Sequence, residues 1–418
     1  MLNKTDRLKD HLPSGTTMSR FLVSAYGPTL LLSFGYGAVI PMLAIQALAL
    51  GANPSLAALI AALVGVGQVL GDLPAGVLTG RIGERRALAG AAIVDAIALG
   101  AAFFVKNLWV FAAIVFIHGL SGSVFNLARQ AYLTVAVPMK WRARAMSSLG
   151  GVFRIGHLLG PLAGAVIIHN YGLIGIFPLA SAMCIFAAVV TMYMPDISGN
   201  TTPATWPKAS ASAAADQPVT LWAVLWAHRH TLLTIGWGVL VIGLVRSARQ
   251  VIIPLWCNAN GLSLTMTNLI FAASMCADVA LFFPGGMLMD RLGRWWATVP
   301  TMIIMGAGFA ALPLAHSALP IAMLSFLLGA GNGMSAGINL TLGADLSPTV
   351  GRPQFLAGWR LFADIGNSTG PLIISLVTAI ASLGISALAL GLIGWLGALH
   401  MAHFMPRSGH LPKSEPRY

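Results

Sequence analysis

The sequence predicts an all-α membrane protein with twelve transmembrane helices in two pseudo-symmetric six-helix halves. Of the 418 residues, 57% are hydrophobic and only 9% are charged, with 46 glycines and a mean hydropathy of +0.81, which is too apolar for a soluble domain. About twelve apolar runs follow one another, each roughly 18 to 28 residues long, enough to cross ~30 Å of hydrocarbon as a helix. The third observation is that the second half of the chain repeats the first.

The apolar runs define the predicted helices and the domain organisation. They lie near residues 21–49, 56–79, 87–105, 108–136, 145–168, 172–194, 231–257, 263–289, 297–315, 319–345, 355–380 and 383–405. The predicted domains are an N-terminal tail 1–20, a first half 21–194, a linker 195–229, a second half 230–405 and a C-terminal tail 406–418. The linker is rich in Pro, Ala, Ser and Thr and has no apolar period.

The distribution of basic residues predicts the topology. They are concentrated in the termini and in alternate loops, including Lys208 in the linker, whereas the other set of loops holds only Lys106. By the positive-inside rule both termini and the linker are cytoplasmic, in a multi-pass protein of the plasma (inner) membrane. The net charge of +12 therefore reflects topology and attraction to membrane lipid, and we expect no nucleic-acid partner.

The two halves repeat with a shift of 210 residues. The stretch "PAGVLTGRIGE" begins at Pro74 and "PGGMLMDRLGR" begins at Pro284. The same shift pairs Gly156 with Gly366 and Gly160 with Gly370. A register held over so much of the chain indicates duplication, which is typical of transporter halves related by a pseudo-two-fold axis.

The chain resembles a major facilitator superfamily transporter in its second copy of this loop. The residues that match the signature loop between the second and third helices of a half are Gly286, Asp290, Arg291, Gly293 and Arg294. We expect the glycines to allow close helix approach and a tight turn, and the aspartate to cap a neighbouring helix. The first copy keeps Gly76, Arg81 and Gly83 but has Gly80 in place of the aspartate and Glu84 in place of a basic residue, so a comparable latch is not expected there.

A second resemblance lies in the fifth helix. Gly156, Gly160, Pro161 and Gly164 are similar to a motif that the superfamily associates with antiporters, often of the drug-efflux type. The same residues also suit simple helix packing, since they permit close approach on one face. The resemblance implies export, and the packing interpretation stays open beside it.

Charged residues inside apolar runs are costly, about 2.5 to 3.5 kcal/mol each on insertion scales, and so are candidates for function. On the seventh helix Arg246, Arg249 and Gln250 are candidates to face the substrate cavity, or else to stabilise a Pro-bent helix. Their segment aligns with the first helix around Tyr36 if a three-residue insertion pairs Pro41 with Pro254. The further cavity candidates are Tyr36, His118 and Arg129. For His118 a proton path competes with plain packing, and for Arg129 anion binding competes with a tie at the helix end.

Residue counting from the matched turns predicts two contacts between the halves. Arg154 lies 12 residues after Arg142 and Asp278 lies 12 before Asp290, both about 18 Å deep, so we expect a salt bridge between Arg154 and Asp278.

The same count on the other side of the interface places Asp72 level with Arg360 and Gln68 level with Asp364. Two carboxylates and one guanidinium would leave one negative charge over, so Asp72 and Asp364 are predicted to bind a proton as a coupled pair. A static three-charge network is the alternative.

These features predict a secondary active transporter that works by alternating access, with proton-coupled efflux of a small organic compound or drug as the favoured activity. The alternatives are a metabolite importer, symporter or uniporter, and then a non-transporting receptor or lipid-handling protein. We expect no enzyme activity, no cofactor and no metal, because no nucleophile with a base, phosphate loop or metal cluster is evident. The expected partners are the small-molecule substrate and protons, and we expect a monomer.

Overall fold

The computed structural model describes residues 18–137, 139–193, 221–348 and 350–406. In these residues the secondary structure is helical, without strands, as the sequence predicts. The chain forms two compact units. Unit 1 comprises Met1–Val39 with Leu70–Ser210, and unit 2 comprises Ile40–Val69 with Ala211–Tyr418.

The first six helices, α1 to α6, follow the predicted apolar runs closely. Helix α1 consists of Met18–Val39, a 3-10 turn Ile40–Met42 and Leu43–Ala49, and the turn contains Pro41, which cannot continue the hydrogen-bond ladder. The other five are α2 Pro54–Ile82, α3 Glu84–Ala102, α4 Leu108–Ala136, α5 Met139–Tyr171 and α6 Ile176–Met192.

The second set, α7 to α12, begins after a short linker helix, Leu221–Ala227. Helix α7 consists of Arg229–Thr231, a π-helical turn Leu232–Gly236 and Trp237–Ala259, and α10 consists of Ala318–Met334 and Ile338–Leu346. The others are α8 Leu264–Leu292, α9 Arg294–Ala311, α11 Arg352–Ile380 and α12 Leu383–Phe404. The last part of the predicted linker is therefore helical, and residues 195–220 lie outside the described residues.

Ten of these twelve helices are long and apolar enough to cross a membrane by length and hydropathy. The other two, α3 and α11, are more polar because they carry charged residues such as Asp95, Arg360 and Asp364. The structure thus agrees with a multi-pass membrane protein in which charge is placed on particular helices.

The duplication is visible in the packing of each unit. In unit 1 a Cβ on Gly156 or Gly160 would collide with α1, at Leu30 and at Ala38 respectively. In unit 2 a Cβ on Gly366 would meet Leu240 of α7, and one on Gly370 would meet Ala248. All of these contacts obey the 210-residue shift, so the fifth-helix glycines act as packing residues in both units.

This register corrects the predicted alignment of the first and seventh helices. The contacts of Leu30 and Ala38 are reproduced by Leu240 and Ala248 without any insertion. Tyr36 therefore corresponds to Arg246, and not to the residue reached by pairing Pro41 with Pro254. The alignment through the two prolines is wrong because a proline bend can occur at different positions along related helices. A close glycine contact cannot shift in this way, because the backbone of the neighbouring helix fixes its position.

The signature turns have the expected backbone. Gly83 and Gly293 both have positive φ, +84° and +98°, at the junctions of α2 with α3 and of α8 with α9. The expected close approach at Gly286 is wrong, since a Cβ there would have nothing within 4 Å. The tight contact is made by the preceding residue, Gly285, against the backbone of Met334.

One segment distinguishes the compact units from the predicted halves. Residues Ile40–Val69, which belong to the first half by sequence, form part of unit 2. There the Ser55 hydroxyl donates to the Ser375 carbonyl at 2.8 Å, and a Cβ on Gly65 would lie 2.8 Å from Ser368. The first part of α2 thus packs with α11, and the two halves as units of duplication stay a prediction.

Candidate functional site

A buried polar cluster connects four helices of unit 1. The His118 Nδ1 atom of α4 lies 2.8 Å from Asp95 Oδ1 of α3, and both side chains are only 1% exposed. The Cys184 thiol of α6 donates to the other Asp95 oxygen at 3.6 Å, and the Tyr36 ring of α1 packs edge-on against His118 with centroids 4.5 Å apart. We call this set the Asp95 cluster.

The Asp95 cluster is a pairing that residue counting can find. Asp95 lies 12 residues before Asn107 and His118 lies 11 residues after it, so the two face each other across adjacent antiparallel helices at one depth. Asp95 is completely buried at this position. Tyr36 and His118 are both buried here, and their predicted place in a substrate cavity stays a prediction.

The Arg129 side chain of α4 contacts nearby residues of α4 and one ring of α5. Its Nη2 donates to Asn126 Oδ1 at 3.0 Å, and its guanidinium lies over the Phe125 and Phe153 rings at 6.0 and 5.6 Å from their centroids. Contacts of this kind orient an arginine side chain. Both predicted roles, anion binding and a helix tie, are compatible with this geometry.

Unit 2 contains a second buried cluster, around Arg249 of α7. Arg249 is 2% exposed and donates to Ser274 Oγ at 2.7 Å and to Asp278 Oδ2 at 3.4 Å, both on α8. The Asn332 amide of α10 donates to the same Asp278 oxygen. We call these residues the Arg249 cluster.

Residue counting misses the Arg249 cluster. Arg249 lies 12 residues before Gly261 and Asp278 lies 17 after it, an offset of 5 residues or about 7.5 Å of helix. The long arginine side chain spans this offset, and it places the charge one turn away from its Cα. Asp278 therefore has a partner within unit 2 that the sequence did not indicate, and the predicted bridge to Arg154 of unit 1 stays a prediction.

Arg246 lies at an interruption of α10. Its Nη2 donates to Ser335 Oγ at 2.7 Å and also to the Ser335 carbonyl. The helix is interrupted between Met334 and Ile338, where Gly337 adopts a left-handed conformation with φ +86°. A broken helix frees carbonyls that must be satisfied inside a membrane, and Arg246 satisfies one. Gln250, the third candidate on α7, is half-buried.

Arg360 and Asp364 form an ion pair along α11. Arg360 Nε donates to Asp364 Oδ2 at 3.3 Å, and their side chains are 36% and 19% exposed. The two residues lie one turn apart, so their side chains share one face of α11. Gln68 and Asp72 of α2 are both half-buried, Gln68 in unit 2 and Asp72 in unit 1, and their approach to Arg360 and Asp364 stays a prediction.

The signature loop is organised by Arg294. Its Nε donates to Asp345 Oδ2 at 3.0 Å near the end of α10, and its Nη1 donates to the Met289 carbonyl at 3.0 Å and to Asp290 Oδ1 at 3.4 Å. Asp290 itself is 81% exposed. Asp345 therefore connects the end of α10 to the start of α9. Arg81 and Arg291 are exposed.

No group of three histidine, cysteine or acidic residues is positioned to hold a metal ion in the part of the chain that the structure describes. His400, one of two histidines a turn apart on α12, has its Nε2 at 2.9 Å from the Thr234 carbonyl. His400 therefore packs against the start of α7 and forms a hydrogen bond with a carbonyl of its π-helical turn.

Comparison with known families identifies the same repeat and fold. A family model described as the Major Facilitator Superfamily matches residues 29–256 and 235–417. Among solved structures, a D-xylose-proton symporter aligns with a TM-score of 0.70 over 94% of this chain and 99% of its own, at 17% identity. A POT family transporter in complex with 5-aminolevulinic acid aligns with a TM-score of 0.72 over 95% and 99%, at 12% identity. These likenesses concern the fold.

Sequence relatives include multidrug resistance proteins. MdtG of Proteus mirabilis (strain HI4320) is 24% identical over 73% of this chain and 74% of its own, and MdtG of Salmonella choleraesuis (strain SC-B67) is 28% identical over the same shares. The MFS-type transporter YhjO of Bacillus subtilis (strain 168) is 29% identical over 37% of this chain, and the match spans 38% of that relative.

Proposed function

This chain belongs to the Major Facilitator Superfamily of membrane transporters, and on that premise we propose that it exports a small organic compound in exchange for protons. The relatives named multidrug resistance protein MdtG support efflux rather than uptake. Transport would proceed by alternating access, with the substrate site near the middle of the bilayer. A transporter of this kind needs no enzyme chemistry.

One observation carries the proton-coupling part of the proposal. The Asp95–His118, Arg249–Asp278 and Arg360–Asp364 pairs of the described helices differ in exposure. The Asp95–His118 and Arg249–Asp278 pairs are almost completely buried, whereas Arg360 and Asp364 retain accessible surface. A coupling carboxylate must exchange its proton with water, so Asp364 is the acid in this group best suited to that role.

The test is gradient-driven transport by an Asp364→Asn variant. A thermal-shift screen of the purified chain against drugs and metabolites first identifies a transported compound, which then serves as the probe in proteoliposomes with an imposed pH gradient. We expect Asp364→Asn to abolish accumulation against the gradient but to keep substrate binding and exchange, since asparagine preserves shape and loses the proton.

The matched control is Glu84→Gln, which neutralises an acid in the first turn of α3, outside the apolar part of the helix. It should transport normally. Normal pH dependence in both Asp364→Asn and Asp72→Asn would refute the coupling site and leave the transporter assignment intact.

The orientation is part of the same proposal. With both termini and the linker cytoplasmic, a membrane-impermeant thiol reagent added outside should label a cysteine at position 106 but not one at position 208. Lys106 is exposed, and Lys208 lies outside the described residues. Labelling at 208 alone would reverse the orientation.

A further inference from the structure

The linker helix Leu221–Ala227 has two contrasting faces. On one face Val224 is buried, and a Cβ on Gly351 would lie 2.6 Å from it, so this face packs closely against the start of α11. Leu225 fills the space beside Gly358 in the same way. His228, at the end of the linker helix, packs edge-on against Phe355 with ring centroids 5.5 Å apart. This face is fixed to α11 by apolar contacts.

The opposite face exposes two tryptophans one turn apart. Trp222 is 72% and Trp226 is 61% exposed, which is unusual for the largest apolar side chain. Arg229 follows on the same face, with its guanidinium 5.0 Å from the Trp226 ring centroid and its Nη1 donating to the Trp226 carbonyl at 3.1 Å. His230 is exposed beside it. The set Trp222, Trp226, Arg229 and His230 is called the tryptophan face.

The position of the tryptophan face along the chain indicates what covers it. The linker helix lies directly before the apolar span that runs from Arg229 to Ala259. The exposed side chains Leu233 and Trp237 continue the tryptophan face along α7. Tryptophan is enriched at the boundary between hydrocarbon and water, where its ring is buried and its N–H stays wet. Residues 221–230 contain two tryptophans, one arginine and two histidines but no acidic residue, so they favour a negatively charged surface.

We propose that the tryptophan face is an interfacial anchor that binds the headgroup layer of anionic lipid. The tryptophans enter the boundary of the bilayer, and Arg229 with His230 contacts lipid phosphates. Because the other face of the linker helix is packed on α11, the anchor would hold the start of that helix at a fixed depth in the membrane. The proposal does not depend on the direction of transport or on the coupling ion.

The experiment measures the depth of the linker helix in the full chain. Cys184 and the other two cysteines, Cys257 and Cys276, are replaced by serine, and a nitroxide spin label is attached through Ala227→Cys, an exposed position. The protein is placed in nanodiscs of phosphatidylcholine, either alone or mixed with phosphatidylglycerol. Collisions with oxygen, which partitions into the bilayer, are compared with collisions with a water-soluble nickel chelate.

We expect an interfacial depth that is deeper in the anionic nanodiscs. The double variant Trp222→Ser with Trp226→Ser should move the label into water in both lipid compositions. Arg229→Gln should reduce the preference for phosphatidylglycerol about fivefold, as expected for the loss of one basic residue at a charged surface. The matched control Trp296→Ser removes a half-exposed tryptophan at the start of α9 and should leave the label depth unchanged.

Two results would overturn the proposal. One is equal nickel accessibility in the parent and in the double tryptophan variant, because the tryptophans would then not set the depth of the label. The other is a label depth that changes neither with phosphatidylglycerol nor with Arg229→Gln, because the proposed headgroup contact would then be absent. Since the targeted side chains are exposed, an unchanged melting temperature of each variant shows that it is folded.

Discussion

The Asp95 cluster of unit 1 and the Arg249 cluster of unit 2 stabilise a buried carboxylate in different ways. Each unit buries a carboxylate, but its side-chain partner is an imidazole in unit 1 and a guanidinium in unit 2. An imidazole can become neutral, whereas a guanidinium stays charged in proteins. The two clusters therefore pair their carboxylates with different groups, an imidazole in unit 1 and a permanently charged guanidinium in unit 2.

The comparison also separates what duplication kept from what it changed. The backbone contacts of Gly156 and Gly160 recur at Gly366 and Gly370 with an unchanged 210-residue shift. The polar residues do not recur: Tyr36, which packs on His118, corresponds to Arg246, which binds the interrupted part of α10. Close helix packing constrains both units alike, whereas buried charges are placed separately in each.

The largest expected effect is on stability and concerns the two carboxylates. Asp278→Ala leaves the buried guanidinium of Arg249 with one carboxylate fewer and should cost about 3–5 kcal/mol of unfolding free energy. Asp95→Ala should cost less, about 1–3 kcal/mol, because it removes a hydrogen-bond acceptor beside an imidazole and not the partner of a permanent charge. Denaturant unfolding in one detergent measures both.

A double variant sharpens this first prediction. Arg249→Met combined with Asp278→Leu should be more stable than Asp278→Ala, because it removes both charges together. Equal losses of unfolding free energy for Asp278→Ala and Asp95→Ala would show that the partner of the carboxylate does not matter, and would contradict the difference between the two clusters.

An intermediate effect is expected for the feature that the two units share. Gly160→Val and Gly370→Val each force a side chain into the backbone of α1 or α7 and should each cost about 1–3 kcal/mol. The control is Gly90→Ala in α3, where a Cβ meets nothing within 4 Å. A large loss in one unit only, seen by thermal unfolding, would mean that the repeated contacts are not equivalent.

The smallest expected effect depends on pH and concerns His228, which packs against the Phe355 ring. Burial lowers the pKa of the His228 imidazole, so the docked linker helix favours the neutral ring. Undocked His228 binds a proton more readily, so docking is stable above the ordinary histidine pKa of 6.5 and weakens as the pH falls below it.

Mobility of the Ala227→Cys spin label in neutral detergent measures this effect. It should rise when the pH is lowered from ~8 to ~5, across the histidine range. His228→Asn should make mobility independent of pH, whereas the control His230→Asn should keep the dependence. A pH response that survives His228→Asn would assign it to another group.

The pattern of hydropathy and the repeat predicted much of the architecture correctly. Helix existence follows from apolar length, so all twelve runs correspond to helices. The pairing of Arg360 with Asp364 was predictable because residues four apart always share a helix face. The linker helix was missed because its outward tryptophans and inward valine give no simple apolar stripe over seven residues.

By itself the sequence determined the fold class, the duplication, the signature turns and the helix-local ion pair, because each depends on composition or on spacing along one chain. Only the tertiary structure decided which buried charges meet. Arg249 reaches Asp278 across an offset of 5 residues, and the Cys184 thiol of α6 donates to Asp95 from a helix that does not directly follow α3 in the chain. Helix tilt and side-chain length set such contacts, and neither can be read from a count of residues.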